Sequence, residues 1–394
     1  MIAGLPRIET SESLPTPIGL SSNVEGNRAL PSEARKTVRV LMAAGGTGGH
    51  IFPLLVVAER LRAAGAAEVE FVGAGRPLET RIIPAAGFPL RAVRVAGLKG
   101  MRGWRMLHNL MLLPVGALDM ATVLNRIKPR VVVGVGGYVA GPALLEAALA
   151  GIPTLLIEPN ALPGFTNRVL APVVRRAAVG FESAARFYGG KSQLTGHPVR
   201  PEFFQVPPMP PAPPLPLTLL IVGGSLGARG INRLIVECLN KIEPQSSGWR
   251  IIHQTGERDY PDVEAAYRKR GTRAEVHAFI DDMPRALASA HLVISRAGAS
   301  AIAEFAAAGR PSLLIPFPAA TDQHQLMNAR EAERAGAARV LEEKAATPER
   351  LLQEVRDLLD NPARLSQMGR RARTFAHPEA AEKIAQIILE LGNS

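Results

Sequence analysis

Four glycine-rich clusters stand where apolar runs give way to helical patterns. The first is Gly45-Gly46-Thr47-Gly48-Gly49-His50 and the second Gly136-Gly137-Tyr138-Val139-Ala140-Gly141-Pro142. The third runs from Gly223 through Ser225 and Leu226 to Asn232, and the fourth from Ser295 to Glu304. Glycine admits positive φ and lets a ligand approach bare backbone N–H groups. A helix that follows adds unpaired donors at the positive end of its dipole. The chemistry such loops suit is the holding of phosphate. One cluster is a weak signal, because turns use glycine anyway; four, two in each half of the chain, point to a phosphate-bearing ligand. His50 opens the helix after the first cluster. By default a histidine there caps or packs, but its pKa lies near neutrality, and the clusters hold no other obvious base.

Several phosphate chemistries fail on spacing. The dinucleotide fingerprint started at Gly46 fits Gly48 but meets Ile51 where its third glycine belongs. No Gly-Lys-Ser/Thr follows the glycines, so a Walker loop fails too. There is no Asp-x-Asp and no clustered His/Cys set, so neither a metal nor another cofactor is expected. Phosphate charge would then be met by helix N-termini and arginine.

The clusters need elements to position them. Apolar strand-like runs alternate with helical patterns along almost the whole chain, which predicts parallel α/β architecture. Both halves begin alike, an apolar strand followed by Gly45-Gly46-Thr47 in one and Gly223-Gly224-Ser225 in the other, an internal pseudo-repeat. Between them Arg200 to Leu217 is proline-dense and reads as an extended linker. The expected division is a disordered extension over 1–36, a first domain over 37–200, a linker over 201–217, a second domain over 218–375 and a closing amphipathic helix over 376–394 that packs back toward the first domain. Two doubly wound domains would face each other across a deep cleft, with ligands beyond the carboxyl ends of the strands.

Composition narrows the classes. The net charge is +11, yet aromatic residues are only 5% and no nucleic-acid motif appears, so nucleic acid is not expected as a partner. The one cysteine, Cys238, sits in a helical pattern and reads as a buried structural thiol in a reducing compartment. No apolar run reaches membrane-spanning length, and the N-terminal stretch lacks the features of a secretory signal. Lys and Arg dominate the window from Arg91 to Arg130, where Asp119 is the only acid and Met106 to Leu124 is unusually apolar. That pairing suits an anionic membrane surface; composition alone favours a core helix with solvated flanks.

The ordered segments GGTGGHIFP, GGYVAGP, EPNALPGFTNR, TGHPVRPEF, GGSLGARGIN, FIDDM, SRAGASAIAE and DQHQLMNA resemble those of MurG-type enzymes, from Arg39 to the C-terminus. The resemblance implies a GT-B fold and an inverting, metal-independent transfer of GlcNAc. The donor would be UDP-GlcNAc and the acceptor lipid I, an undecaprenyl-pyrophosphoryl-MurNAc-pentapeptide; the products would be lipid II and UDP. It also implies a peripheral enzyme at the cytoplasmic face of the inner membrane, with other cell-wall synthesis proteins as candidate partners, and raises the membrane reading of the basic window above the core-helix reading.

Carried over by position, Thr47, Gly48, Gly49 and Asn160 would approach the donor from the first domain. Arg200 and Ser225 would lie around the nucleotide and its phosphates, and Ile280 would read the uracil edge through its backbone. Ala299, Ser300, Ala301, Ile302 and Ala303 would open the helix under the diphosphate, with Glu304 accepting from the ribose hydroxyls and Gln325, beside His324, holding the sugar. Gly46, Gly136, Gly137 and Tyr138 would face the acceptor pyrophosphate, and His50 would be the general base. Glu158 orients its loop or plays a polar role with even weight; Asp281 and Asp282 read equally as helix-capping acids. Three departures from the family pattern stand out: Leu226 for a glutamine, Ala140 for a serine and His197 for an asparagine. The rival readings are another GT-B enzyme, a glycolipid galactosyltransferase or a UDP-GlcNAc 2-epimerase, and a silent UDP-sugar-binding scaffold.

Overall fold

The computed structural model describes residues 37–45, 48–94, 113–211, 213, 215–224, 226–239, 241, 249–272, 274–320 and 323–394. Gly46, Thr47, Ser225 and the part of the basic window over 95–112 lie outside the described residues, as does the extension over 1–36.

The first lobe starts β1 (Val38–Ala43), α1 (Gly48–Ala63), β2 (Ala67–Gly73), α2 (Pro77–Ala85) and β3 (Leu90–Ala92). It continues α3 (Leu113–Ile127), β4 (Val131–Gly134), α4 (Gly137–Leu149), β5 (Thr154–Glu158), α5 (Phe165–Leu170), β6 (Arg176–Val179), α6 (Glu182–Ala185) and β7 (Ser192–Leu194). After α7 (Pro201–Phe204) the second lobe runs β8 (Leu217–Val222), α8 (Arg229–Leu239), β9 (Trp249–Gln254), α9 (Tyr260–Arg270), β10 (Ala274–His277) and α10 (Met283–Ser289). It ends β11 (Leu292–Ser295), α11 (Ala299–Ala307), β12 (Ser312–Leu314), α12 (His324–Arg334), β13 (Ala338–Val340), α13 (Pro348–Leu359) and α14 (Pro362–Phe375). The last helix is α15 (Ala380–Asn393).

Among the described residues the strands form two sheets, ordered β3-β2-β1-β4-β5-β6-β7 and β10-β9-β8-β11-β12-β13. Every pairing is parallel. This is the GT-B arrangement of two doubly wound lobes. Helices on both faces of a parallel sheet bury its strands completely, which is why the central ones read as unbroken apolar runs. The four residues of β4 and the six of β8 are all buried. Cys238 packs in the second lobe's core, where burial pushes its thiol up to about 12.

The proline-dense segment is not the free extended linker its composition suggests. Pro201 fixes the first turn of α7, where its missing N–H costs nothing. That turn inserts Phe203, fully buried, into the second lobe's core beside Phe305 and Leu314. Arg373 donates to the Phe204 carbonyl at 3.0 Å and also to that of Val206, and Arg310 Nη2 donates to the Pro207 carbonyl at 2.9 Å. The crossing is a strap stitched to the second lobe.

The chain crosses back after α14. The helix α15 packs on α1 and β1, closely enough that a Cβ at Gly392 would stand 2.3 Å from Val38 Cγ1. Arg60 pairs with Glu382, and Arg176 Nη2 lies 3.2 Å from Glu390 Oε2. Where the lobes meet, Ala161 and Phe181 pack on Ala299, Met327 and Phe375. Their contact places the carboxyl ends of both sheets on one crevice.

Candidate active site

In each sheet the strand order reverses beside the first strand, between β1 and β4 and between β8 and β11. Chains leaving two such neighbouring strands depart to opposite faces and leave a crevice for ligand. The four glycine clusters follow β1, β4, β8 and β11, so each pair flanks the switch point of its own lobe.

On the first lobe, Gly45 packs so tightly that an added Cβ would lie 2.4 Å from Val139 Cγ2, locking the first cluster onto the second. His50 sits in the first turn of α1, half-buried, with Nδ1 3.0 Å from the Gly45 carbonyl oxygen. A carbonyl only accepts, so Nδ1 carries the proton and Nε2 is the lone-pair nitrogen. Burial holds the His50 pKa below 6.5, against the Gly45 bond that raises it and with help from the charge of His324 in α12. At neutral pH the ring is an uncharged base. Gly136 and Gly137 take φ of 100° and 84°, beyond ordinary L side chains, and a Cβ on Gly137 would touch His50 Cε1 at 3.7 Å. The Arg76 guanidinium stands 4.7 Å from the Tyr138 ring centroid.

The second lobe presents the start of α11. Gly298 precedes it in extended conformation and no side chain caps it, so the first-turn N–H groups at Ala299, Ser300 and Ala301 face the crevice with donors to spare. Ile302 and Ala303 follow, Ile302 packing inward to the core. Glu304, one turn on, has its carboxyl pushed up to about 7 by burial, against the charge of Arg200. Arg200 itself lies 5.0 Å from the Phe203 ring and 5.7 Å from that of Phe52 on α1, so it spans the lobes. Gln325 Oε1 accepts from the N–H groups of Ala297 (3.3 Å) and Phe317 (2.9 Å), which turns its amide NH2 outward as a donor. The Ile280 N–H is already given to Gln254 Oε1 at 3.1 Å, while Gln254 Nε2 donates to the Gly224 carbonyl at 3.0 Å. A nucleobase read by Ile280 would therefore share or displace that glutamine.

Asn160 belongs to both lobes' networks. Its N–H and its Nδ2 donate to Glu158 Oε1, at 2.9 and 3.1 Å. Glu158 also receives Asn167 Nδ2 at 2.7 Å and the Tyr188 hydroxyl at 3.3 Å on Oε2. Its burial is complete and pushes the carboxyl up to about 7 in spite of four donors. Glu158 thus orients its loop. Asn167 also braces the second cluster, since a Cβ at Gly136 would come within 2.5 Å of its Oδ1. His197 is buried, its pKa lowered to about 4 by loss of hydration and by the charge of His50, and its Nδ1 has no partner among the described residues. Leu226 is 82% exposed at the third cluster, an apolar side chain at the mouth of the site. No group of three or more His, Cys, Asp or Glu side chains fit to hold a metal occurs among the described residues.

Comparison with known proteins decides which family builds this crevice. Residues 40–179 match the Glycosyltransferase family 28 N-terminal domain and residues 218–384 the Glycosyltransferase family 28 C-terminal domain. A UDP-N-acetylglucosamine--N-acetylmuramyl-(pentapeptide) pyrophosphoryl-undecaprenol N-acetylglucosamine transferase of Myxococcus xanthus is 44% identical over 90% of this chain and 93% of its own. The crystal structure of MurG from Acinetobacter baumannii superposes with a TM-score of 0.72 at 31% identity, covering 90% of this chain and 99% of that one. The chain belongs to the MurG family. The fold extends further: a UDP-GlcNAc 2-epimerase from Neisseria meningitidis bound to UDP-GlcNAc aligns with a TM-score of 0.64 at 15% identity, over 90% of this chain and all of that one. At that identity it shares architecture alone.

Within the MurG frame, the first-lobe residues His50, Gly48, Gly49, Gly136 and Gly137 lie on one side, and Arg200, the start of α11 at Ala299 to Ala301, Glu304 and Gln325 on the other, while Ile302 turns into the core. Asn160 joins them. Ile280 stands at the third cluster through Gln254. Sequence reading passed over Gln254, Asn167, Tyr188 and Asn328. The available signal was a polar residue at the buried end of an apolar run, as Gln254 is in WRIIHQTG.

Proposed function

We propose that this protein transfers GlcNAc from UDP-GlcNAc to the C4 hydroxyl of MurNAc in lipid I, with inversion, giving lipid II and UDP. The observation that carries the reading is the set of MurG relatives at 40–44% identity over 88–90% of the chain, joined to a crevice in which the helix that carries the imidazole meets the helix with the open N-terminus. The C4 hydroxyl attacks the anomeric carbon, His50 Nε2 takes its proton, and the bond from that carbon to the UDP oxygen breaks. The charge left on UDP is met by the N–H groups of Ala299, Ser300 and Ala301, which stand ready without reorganising. Ser225 and Thr47, with Gly46, Gly48 and Gly49, complete the donor and acceptor loops. Glu304 takes the ribose hydroxyls, Arg200 the diphosphate, and Gln325 and Asn160 the sugar. The glycine backbone at Gly136 and Gly137, beside Tyr138, suits the acceptor pyrophosphate.

The acceptor is lipid-bound, so the enzyme works at the membrane surface. Supporting this, Leu118, Leu145, Leu149, Phe165, Val169 and Val173 are exposed on the neighbouring helices α3, α4 and α5 and just beyond, with Arg168 and Arg175 among them. Apolar side chains rimmed by arginine fit an anionic leaflet. Among the described residues no helix is long and apolar enough to cross a membrane. The test is incubation with radiolabelled UDP-GlcNAc in EDTA, with and without a lipid I analogue. Label in the lipid fraction supports the reading. Donor epimerised without lipid, or donor bound with no product, would replace it with an epimerase or a scaffold.

A further inference from the structure

Asn328 is fully buried on α12, yet two of its three hydrogen bonds leave its own lobe. Oδ1 accepts from the Ala161 N–H at 2.8 Å, and Nδ2 donates to Asn160 Oδ1 at 3.0 Å and to the Ala297 carbonyl at 3.3 Å. The amide orientation follows from chemistry, because a backbone N–H can only donate and a carbonyl can only accept. With Asn328 so fixed, Asn160 must present Oδ1 to it and turn Nδ2 to the Glu158 carboxylate, as it does. One turn earlier on the same helix face, Gln325 clamps the N–H of Ala297 while Asn328 clamps its carbonyl. A single helical turn thus holds the loop that leads into α11, carries Gln325, and sets the rotamer of Asn160 across the crevice.

We propose that Asn328 is a positioning residue that aligns the sugar-contacting side chains of the two lobes, Asn160 and Gln325, on one donor sugar. The inference rests on the assignment of those two residues to GlcNAc made above. Asn328 itself touches no substrate. Its part is to make the separation of the lobes and the orientation of Asn160 a single variable, so that the hexose meets both contacts together. An amide buried between lobes with every bond satisfied is specific in this way, since any shift strands a polar group away from water.

The test separates sugar from nucleotide. Affinities for UDP and for UDP-GlcNAc are measured by calorimetry on the full chain and on Asn160→Ala, Asn328→Ala and the double variant. Expected is a loss of about tenfold for UDP-GlcNAc in each single variant, the equivalent of one hydrogen bond. UDP affinity should stay within about twofold, and the loss in the double variant should fall well short of the product of the two single losses, because coupled residues are not additive. Asn328→Asp keeps the acceptor for Ala161 and removes both donations, and it carries the test if the alanine variant does not fold. Equal losses for UDP and UDP-GlcNAc, or losses that multiply in the double variant, would overturn the positioning role. Loss in Asn160→Ala but none at Asn328 would overturn it alone. No loss in Asn160→Ala would remove the sugar assignment and the proposal with it.

Discussion

His50 Nδ1 lies 3.0 Å from the carbonyl oxygen of Gly45, five residues before it in the chain. That bond uses the proton-bearing nitrogen to anchor the ring to the backbone just past β1 and leaves Nε2 with its lone pair, the atom proposed above as the base. It also ties the ring to the first glycine cluster, so that on the proposed mechanism one piece of backbone would position both the acceptor and the group that takes its proton.

Glu304 is the first group to test by pH. Burial disfavours the charge and pushes its carboxyl up to about 7. Ribose hydroxyls donate, so the donor prefers the ionised form. UDP affinity should therefore fall by up to about tenfold per unit as the pH drops below 7, with proton release on binding. In Glu304→Gln the affinity should be weaker at pH 8 and nearly flat with pH. Calorimetric titrations from pH 5.5 to 8 check this, and a wild-type slope retained in the variant assigns the titration elsewhere.

Glu158 makes a prediction about stability. Its folded pKa of about 7 lies above the ordinary 4.5, so the native state holds more protons than the unfolded chain between those values. The carboxyl's contribution is complete below pH 4.5 and is lost as the pH rises through 7, by roughly 3 kcal/mol. Glu158→Gln has no such titration. The stability advantage of wild type over this variant should shrink from pH 4.5 to 8 in denaturant melts. A gap that stays constant means that the four donors keep the carboxylate ionised throughout.

The exposed apolar face predicts a split between substrates. Leu149 is 80% and Phe165 67% exposed, so replacing both with Asp costs little fold stability. The double variant should bind anionic vesicles at least tenfold more weakly and lose turnover with membrane-embedded acceptor, each buried apolar side chain being worth about 1.5–3 kcal/mol. Turnover with a water-soluble acceptor should be unchanged. Equal loss on both acceptors would place these residues in the fold or the site.

How far all this can be read from sequence depends on the reach of each signal. The central strands announce themselves as apolar runs because both sheet faces are covered, and the glycine clusters because positive φ and close packing at the strand ends leave no room for a Cβ, as at Gly136 and Gly45. Three edge strands, β3, β7 and β13, have three residues each and no period to detect. The strap over Pro201–Phe204 was hidden by prolines whose composition resembles a tether, while the deciding fact, the burial of Phe203, is tertiary. Asn328 was invisible for the same reason, its Asn160 partner being 168 positions away. Glu158 could be seen as polar beside Asn160, but its hub role needs Tyr188 and Asn167 folded over it.

The most direct test of the account is the single-turnover rate of GlcNAc transfer to a lipid I analogue by wild type and His50→Ala, with UDP-GlcNAc affinity measured on both. The prediction is a fall of about 100-fold or more in the chemical step with donor affinity within about threefold, and for wild type a rate that declines on the acid side below pH 6.5. Transfer at the wild-type rate by His50→Ala would contradict the central claim and send the search for the base to another wall of the crevice.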